Sequence, residues 1–296
     1  MSLGFSACGI APAEDVDPST QALFRRWIVG GSHADMSYMA NHIDKRLDPR
    51  LLMPEVRSII CVALNYAPQR RIPEGEPQLA VYAYGHDYHD VMKEKLHLLA
   101  ARIGVSTYRA FCDTAPILER HWAVRAGLGW IGRNHLLIVP HGGSLFFLGE
   151  LFVDFECDYD APLPTRCGNC RRCVDACPTQ ALSMSDDGTT TFDARLCLSY
   201  LTIENRGPLP EGTGEKMGHC LYGCDRCQEA CPWNRYAQPT DEPLLQPSPE
   251  LLGMTAARWN ALSEEEYRRL FKGSAVKRAK YEGLMRNVKE MLNEEC

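Results

Sequence analysis

Apolar positions in the first third of the chain follow the spacing of two helices and a buried strand. Residues 18–30 and 86–103 carry apolar side chains at helical intervals, and Pro18 stands where a helix can begin. Residues 57–66 are a continuous apolar run rich in β-branched side chains and are soon followed by Pro68, which is typical of a buried strand. This part of the chain is therefore predicted to mix helices with a sheet.

The pattern from residue 113 onwards predicts one more helix and two more strands. The helix is expected to begin near Asp113 and to end at Gly127. The strands cover residues 135–140 and 144–154, with a glycine turn at 141–143 between them. These elements would extend the sheet and cover one of its faces.

Helices return near the end of the chain. Ser263 with Glu266 three residues later forms a capping box, which predicts a helix that begins there. A second helix is predicted over residues 274–292, and a short strand–turn–strand unit over residues 179–192.

Composition narrows the function more than the fold. The chain is 45% hydrophobic and 24% charged, which is ordinary for a globular protein, and its net charge of −6 argues against a surface coated for non-specific nucleic-acid binding. Nine lysines or arginines against five glutamates between residues 258 and 290 leave two interpretations open, a local basic patch and a solvated helical face. Since we find neither a signal peptide nor a run of ~20 apolar residues, we expect a soluble cytoplasmic protein without a membrane span.

The chain has 14 cysteines, and their spacing carries most of the chemistry. The first group reads Cys167-x2-Cys170-x2-Cys173-x3-Cys177-Pro178. Bacterial ferredoxins use this spacing for [4Fe–4S] clusters, and the fourth cysteine of the run binds the neighbouring cluster.

A second group reads Cys224-x2-Cys227-x3-Cys231-Pro232 and lacks one member, for which Cys197 and Cys220 are both candidates. Zinc fits less well, because structural zinc sites usually take two separated pairs of ligands. Disulfides fit poorly too, because they belong to small secreted chains. The sequence therefore predicts two cubane clusters close together, which pass electrons one at a time.

Further motifs lie before and after the cysteines. They are YGHDYH (84–89), CDTAPILER (112–120), AGLGWIGRNHLLI (126–138), GSLFFLGEL (143–151), DARLCLSYLTIE (193–204) and MGHCLYGCDRCQEACPWN (217–234). In this order, and over residues 36–287, the sequence resembles the epoxyqueuosine reductases, which are cobalamin-dependent iron–sulfur enzymes of tRNA modification.

The resemblance implies an α+β fold in three parts. They are an N-terminal mixed α/β cobalamin-binding domain (1–156), a ferredoxin-like domain with two [4Fe–4S] clusters (157–240) and a short C-terminal helical segment (241–296). It also implies a reaction, the reduction of the epoxide of epoxyqueuosine at the tRNA wobble position to queuosine, the last step of queuosine biosynthesis. The implied cofactors are cobalamin, reacting as cob(I)alamin, and the two clusters that feed it. The expected partners are tRNA bearing epoxyqueuosine and an external low-potential electron donor, and we expect a monomer.

The resemblance also assigns roles to single residues. Asp113 matches the proton donor, whereas from the sequence alone an N-cap of the following helix was the favoured interpretation. One cluster would be held by Cys167, Cys170, Cys173 and Cys231, and the other by Cys177, Cys197, Cys224 and Cys227, which leaves Cys220 spare. The expected cobalamin contacts are Asp113, Arg120, Arg133, His135, Leu137, Leu148 and Asp225.

Some features remain outside this scheme. Asn41 occupies a place where an arginine is common in the family, and His86 and His89 are expected either to pack or to face tRNA. Many family members continue into helical repeats, so here tRNA affinity is expected to rest on residues 268–289 and the cluster domain. The remaining thiols are expected to be buried or idle; they are Cys8, Cys61, Cys112, Cys157 and Cys296.

Two other functions compete with this one. A corrinoid reductive dehalogenase or a corrinoid-reducing electron-transfer protein would use the same cofactors. A non-catalytic electron carrier would hold clusters without cobalamin. Dehalogenases normally carry an export signal and use a tyrosine as the acid, whereas this chain offers Asp113.

Overall fold

The computed structural model describes residues 2–292. The strands are β1 (Ala7–Pro12), β2 (Ser58–Asn65), β3 (Gln78–Leu79), β4 (Tyr108–Phe111), β5 (Trp130–Ile131), β6 (Leu137–Ile138), β7 (Phe146–Val153), β8 (Leu182–Met184), β9 (Thr190–Phe192) and β10 (Cys220–Tyr222). The helices are α1 (Pro18–Val29), α2 (Ser37–Ala40), α3 (Ile43–Leu47), α4 (Tyr88–Ile103), α5 (Glu119–Arg125), α6 (Arg172–Asp175), α7 (Leu198–Ile203), α8 (Thr213–Met217), α9 (Arg226–Glu229), α10 (Pro249–Leu252), α11 (Ala256–Asn260), α12 (Glu264–Leu270) and α13 (Lys280–Leu292). Cys296, predicted to be an idle thiol, lies outside the described residues.

The central sheet has four antiparallel strands in the order β1-β2-β7-β4. Alternate residues of β2 point into two different apolar clusters, Ile60 into one and Ile59 into the other. The first cluster includes Met92 of α4, and the second includes Trp122 of α5. Because helices cover both faces, β2 is apolar throughout, which explains why its sequence is a continuous run and does not alternate.

Several predicted elements are confirmed. They are α1, α4, β2, β7, the β8–β9 hairpin and the capping box at the start of α12. The box has both of its hydrogen bonds, from Glu266 N–H to Ser263 Oγ and from Ser263 N–H to the Glu266 carboxylate. The local sequence pattern was sufficient to predict these elements because their tertiary contacts favour the same secondary structure.

The helix predicted to begin near Asp113 is wrong in its start. Asp113 has a left-handed φ of 57°, and α5 begins only at Glu119, after an uncapped Leu118. Pro116 disfavours helical backbone at the residue before it, which keeps this segment a loop. Asp113 is therefore not an N-cap, and its side chain is free for other contacts.

The last predicted helix is divided. Residues 275–279 form a 3-10 turn, and α13 begins at Lys280, whose φ is 61°. Along α13, Leu284 and Val288 enter the same apolar cluster as Met92 of α4. The C-terminal helices thus complete the core on one face of the sheet, while the three-part division at residues 156 and 240 stays a prediction.

The cysteine-rich segment is tied to the rest of the chain at several points. Its two short helices α6 and α9 pack against each other, and β10 pairs in parallel with β3 from the first half. Fully buried Asn287 of α13 donates to the carbonyls of Thr202 (2.8 Å) and Leu221 (3.0 Å). Within residues 2–292, no helix is long and apolar enough to cross a membrane.

Candidate active site and cluster-binding cysteines

Asp113 lies in the loop after β4 and is held by two side chains from the start of α4. Its Oδ2 accepts a hydrogen bond from Tyr88 Oη at 2.5 Å and lies 3.2 Å from His89 Nε2. His89 Nδ1 is 2.6 Å from Asp87 Oδ1. The Asp113 side chain is nevertheless 58% exposed, so one side of the carboxyl remains open for a reacting molecule.

His89 lies between the carboxylates of Asp113 and Asp87, and these two contacts determine its protonation state. Burial alone would lower the pKa of His89, but its hydrogen bonds with Asp113 and Asp87 outweigh that effect and raise the pKa to about 9. Burial works to raise the pKa of Asp113, but the hydrogen bonds from His89 and Tyr88 outweigh it and hold the pKa below its ordinary value. At neutral pH the structure therefore has an imidazolium beside a carboxylate.

Aromatic packing fixes these groups in place. The Tyr88 ring stacks on Phe147 of β7 with centroids 4.3 Å apart and planes 3° apart, lies 4.0 Å from the His89 ring, and meets Tyr82 edge-on at 6.0 Å. Since Phe147 is buried in the core, the hydroxyl of Tyr88 has a defined position. His89, expected to pack or to face tRNA, is thus a site residue that the sequence analysis missed, and its only signal was the Asp-x-His spacing at a helix start.

A second missed residue is Arg46 of α3. It is only 7% exposed and donates to the carbonyl of Tyr38 at 2.7 Å, while its buried Nε has no hydrogen-bond partner among residues 2–292. Burial lowers its pKa, opposed by Tyr38 and by the nearby Asp113 and Glu119 carboxyls. Asn41, which stands where an arginine is common in the family, is exposed at the end of α2. In this chain a positive charge close to Asp113 comes from Arg46 of the next helix, α3.

The segment between β5 and β6 contains two of the predicted cobalamin contacts, Arg133 and His135. His135 has a left-handed φ of 58°, and its Nε2 is buried without a partner in the described chain. Burial, followed by the charge of Arg120, lowers the pKa of His135 to about 4, so the ring is neutral. The charge of Arg120 also lowers the pKa of Asp113, so it is felt by both groups.

The other predicted contacts lie in three different surroundings. Leu137 and Leu148 join the apolar cluster on the α5 side of the sheet. Arg133 Nη1 donates to the carbonyl of Cys170 at 3.0 Å, which links this segment to the first cysteine group. Asp225 is buried and accepts from the backbone N–H of Val81 at 2.7 Å, so its visible role is to hold the second cysteine loop against the first half of the chain.

The two cysteine groups face each other across α6 and α9, and thiols of one group act on those of the other. Burial and then the charge of Cys231 raise the pKa of Cys173 to about 11, and Cys167 and Cys170 act in turn on Cys231. Burial raises the pKa of Cys197 to about 11, with Cys224 and Cys177 as its thiol neighbours. Within residues 2–292, no group of three or more His, Cys, Asp or Glu side chains is placed to hold a single metal ion.

The two candidates for the missing ligand have different neighbours. The Cys220 thiol is hydrogen-bonded to Cys224, and the pKa of Cys220 is lowered mainly by that contact. Cys197, by contrast, has Cys177 as well as Cys224 beside it, and the field of Cys197 also reaches Cys227. Cys197 therefore has thiol neighbours from both cysteine groups.

Two family models match the chain. Residues 46–114 match the model described as epoxyqueuosine reductase QueG, DUF1730, and residues 166–234 match a 4Fe-4S double cluster binding domain. The epoxyqueuosine reductase of Cellulophaga algicola is 42% identical over 97% of this chain and 93% of its own length. That of Pseudomonas aeruginosa is 41% identical over 97% of this chain and 81% of its own length. The chain belongs to the epoxyqueuosine reductase family.

Solved structures of the family have the same fold. A crystal structure of epoxyqueuosine reductase with an epoxyqueuosine-modified tRNA-Tyr stem loop superposes with a TM-score of 0.89 at 30% identity, over 98% of this chain and 78% of that one. The enzyme from Streptococcus thermophilus superposes with a TM-score of 0.87. The predicted mixed α and β fold, the iron–sulfur domain and the assignment as an oxidoreductase of this family are confirmed, and the family match over residues 166–234 supports iron–sulfur clusters over zinc.

Proposed function

We propose that this epoxyqueuosine reductase acts on tRNA bearing epoxyqueuosine and uses cobalamin, with Asp113 as the proton donor to the departing oxygen. The observation that carries the proposal is the hydrogen-bonded set Tyr88, His89 and Asp113, which holds a proton beside an open carboxyl. When bound, cobalamin would supply an electron-rich cobalt nucleophile for carbon, and the clusters would keep it reduced.

The residues around Asp113 fit a large polar cofactor. Arg46 Nε, Asn134 Nδ2 and His135 Nε2 are buried and have no partner within residues 2–292. Buried polar atoms left unpaired are costly, and a corrin ring carries amide groups that could satisfy them. Leu137 and Leu148 would provide apolar contact, with Arg120 and Arg133 nearby. Asp225 would act through the loop that it holds in place.

Asp113 would pass a proton that it receives from His89. The resting carboxylate is not itself an acid, but His89 shares its Oδ2 and is protonated at neutral pH. Exclusion of water by a bound cofactor would raise the pKa of Asp113 and move the proton toward it. Asp87 would hold the imidazole ring through Nδ1 while Nε2 gives up the proton.

We further propose the ligand sets of the two clusters. Cys167, Cys170, Cys173 and Cys231 would hold one, and Cys177, Cys197, Cys224 and Cys227 the other. The support is the neighbour pattern of the thiols, in which Cys231 lies among the first set and Cys197 among the second.

We propose that only part of the basic C-terminal segment, residues 268–289, contacts RNA. Several of its arginines serve the fold: Arg269 and Arg278 form paired hydrogen bonds with Glu250 and Glu204, and Arg286 binds the carbonyls of Leu201 and Gly207. Its lysines are better placed for phosphate, namely Lys272, Lys277 and Lys289. We also propose that the enzyme works in the cytoplasm as a monomer and takes electrons from an external low-potential donor.

An anaerobic reconstitution tests the function. The chain is loaded with iron, sulfide and cobalamin, reduced, and incubated with tRNA containing epoxyqueuosine, and the nucleosides are analysed by mass spectrometry. Loss of one oxygen atom, abolished when cobalamin is omitted, is the expected result. Full clusters with bound cobalamin but unchanged RNA would contradict the proposal and point to another corrinoid substrate. Clusters without cobalamin binding would leave an electron carrier.

A further inference from the structure

The indole nitrogen of Trp130 is a buried donor that has no acceptor within residues 2–292. Trp130 lies in β5 and is 2% exposed, and its Nε1 makes no hydrogen bond to any described residue. An indole N–H can only donate, and a buried one normally has an acceptor. Because an unpaired buried donor costs free energy, we looked for an acceptor that arrives with a bound group.

Trp130 lies against the first cysteine group. It packs with Ile138 and Cys231 in a small buried apolar cluster, and Cys167 and Trp233 pack against that cluster. The rings of Trp130 and Trp233 meet at 77°, with their centroids 4.9 Å apart. Cys167 and Cys231 belong to the same proposed ligand set, so the unpaired N–H is next to residues that would hold an iron–sulfur cluster.

The pairing of β5 with β6 puts the indole on the cysteine side. Trp130 pairs with Ile138, and Ile131 pairs with Leu137. Paired residues share one face of a sheet, and successive residues of a strand point to opposite faces. Ile138 packs with Cys231, whereas Leu137, a proposed cobalamin contact, joins the apolar cluster on the α5 side. The face opposite Trp130 is thus the one proposed for cobalamin, which makes a corrin amide a poor acceptor for this indole.

A sulfide of the cluster is the acceptor that the chain itself lacks. The four cysteines of a cubane bind its irons and leave its inorganic sulfides to other donors. Burial raises the pKa of the Cys231 thiol, and the backbone N–H groups of Trp233 and Asn234 oppose that effect, so Cys231 already has its own donors. Among the described residues, no cysteine sulfur is a partner of Trp130 Nε1. An inorganic sulfide is present only when the cluster is bound, and a donor meant for it stays unpaired in the chain alone.

We propose that the Trp130 indole N–H donates a hydrogen bond to an inorganic sulfide of the first iron–sulfur cluster, the one assigned to Cys167, Cys170, Cys173 and Cys231, and raises its reduction potential. One electron from the external donor converts [4Fe–4S]²⁺ to [4Fe–4S]⁺, which adds negative charge to the sulfides. A hydrogen bond to sulfur stabilises the more negative state, and such bonds help to set cluster potentials. The inference rests on the proposed ligand set and does not depend on the proposed reaction with tRNA.

Labelling of the indole nitrogen tests the contact without any turnover. The chain is produced with tryptophan that carries ¹⁵N at the indole nitrogen only, reconstituted with iron and sulfide, reduced stepwise and studied by pulsed EPR. We expect a ¹⁵N coupling to a reduced cluster in the wild type and its loss in Trp130→Phe. A wild type without this coupling at any stage of reduction, or a coupling that Trp130→Phe retains, would overturn the proposal.

An EPR-monitored redox titration tests the effect on potential. Two clusters give two one-electron steps, and Trp130→Phe should move one step to lower potential and leave the other in place as an internal reference. The matched control is Trp259→Phe. Trp259 of α11 is fully buried, its Nε1 also has no partner in the described chain, and its ring stacks on Phe271. Unchanged potentials in Trp130→Phe, or the same shift in Trp259→Phe, would refute the tuning role.

Misfolding of a variant is distinguished from loss of the hydrogen bond by a third substitution. Trp130→Phe keeps an aromatic ring against Trp233 and should bind as much iron as the wild type. If it binds less, Trp233→Phe decides the assignment: this variant should retain the ¹⁵N coupling, and a loss there would assign the coupling to Trp233 and overturn the proposal. Neither measurement uses RNA or cobalamin, so a failure of the proposed reaction and a failure of this inference are separate results.

Discussion

At the scale of single residues, the chemistry depends on one shared proton. Hydrogen bonds with Asp113 and Asp87 raise the pKa of His89 to about 9, while the pKa of Asp113 is held down. A lone aspartate near its ordinary pKa would be a poor acid at neutral pH. In the proposed mechanism the His89 imidazolium stores the proton 3.2 Å from Asp113 until a drier environment favours the neutral carboxyl.

We expect Asp113→Asn to bind cobalamin and keep both clusters but to lose at least ~100-fold in turnover, because the amide cannot pass a proton. His89→Gln should lose turnover too, and its residual rate should depend less on pH above neutrality. Single-turnover oxygen removal measures both effects. The control is Asp186→Asn, which changes an exposed carboxylate in the β8–β9 turn. Near-normal turnover of Asp113→Asn would remove Asp113 from the mechanism.

Two thiols beside Cys224 permit a direct comparison of ligands. Cys197→Ser should lower iron per chain and weaken the charge-transfer absorption of the clusters, because a cubane needs four thiolates. Cys220→Ser should retain full iron, since Cys220 touches Cys224 but lies apart from Cys177 in the neighbour pattern. Iron and sulfide assays on both variants, reconstituted side by side, decide the matter. The reverse outcome would exchange their roles.

At the scale of elements, local sequence predicted those parts whose neighbours agree with it. The run over β2 is apolar because both faces are covered, and the capping box at Ser263 is a contact within one helical turn. The start of α5 was missed because the segment from Asp113 to Pro116 reads like an N-cap, while the left-handed φ of Asp113 depends on the strands around it.

The missed site residues share a cause. Arg46 carries a charged side chain, which is normally exposed, and nothing in its neighbouring residues shows that the fold buries it. His89 lies at the start of a helix, and the sequence left open whether it packs in the core or faces tRNA. The cysteine spacing was predictable because cluster chemistry requires it locally. The proton-handling residues come together only when β4, β7, α3, α4 and α5 have packed.

The link between α13 and the cysteine-rich segment gives an element-scale prediction. Asn287→Leu would leave the carbonyls of Thr202 and Leu221 without a donor in the core, so it should destabilise the protein by ~1–3 kcal/mol or more. Urea unfolding of the reconstituted protein, followed by circular dichroism, measures this loss. Asn260→Leu, at an exposed position of α11, is the control. Equal midpoints for both variants would show that this link contributes little.

At the scale of the whole molecule, the cluster segment lies between two parts of one core. Residues on α4, β7 and α13 share an apolar cluster, although the cysteine-rich residues separate them in the sequence. Cluster loops of this kind depend on metal for their own order. Thr202 and Leu221 accept hydrogen bonds from α13, and β10 pairs with β3. Loss of the clusters should therefore destabilise the core around the sheet as well as the cluster loops.

The proton-holding groups also make the stability of the molecule depend on pH. His89 has a pKa of about 9 in the fold against an ordinary 6.5, and Glu119 about 8 against 4.5. Both groups bind their proton more tightly folded than unfolded, so the unfolded state releases protons first as pH rises. The free energy of unfolding should therefore fall between about pH 4.5 and 8 through Glu119 and between about pH 6.5 and 9 through His89, by at most ~1.4 kcal/mol per pH unit for each group.

Glutamine at either position removes the titrating proton and should flatten this fall. At pH 9 the stability of Glu119→Gln relative to wild type should be higher than it is at pH 6, because the variant keeps a neutral group where the wild type must either hold a proton against the solvent or bury a charge. Urea midpoints of reconstituted wild type, Glu119→Gln and Glu94→Gln, the control at an exposed carboxylate of α4, measure the difference at both pH values. If Glu119→Gln follows the wild type in parallel at every pH, the Glu119 carboxyl has its ordinary pKa in the fold and does not contribute to the pH dependence of stability.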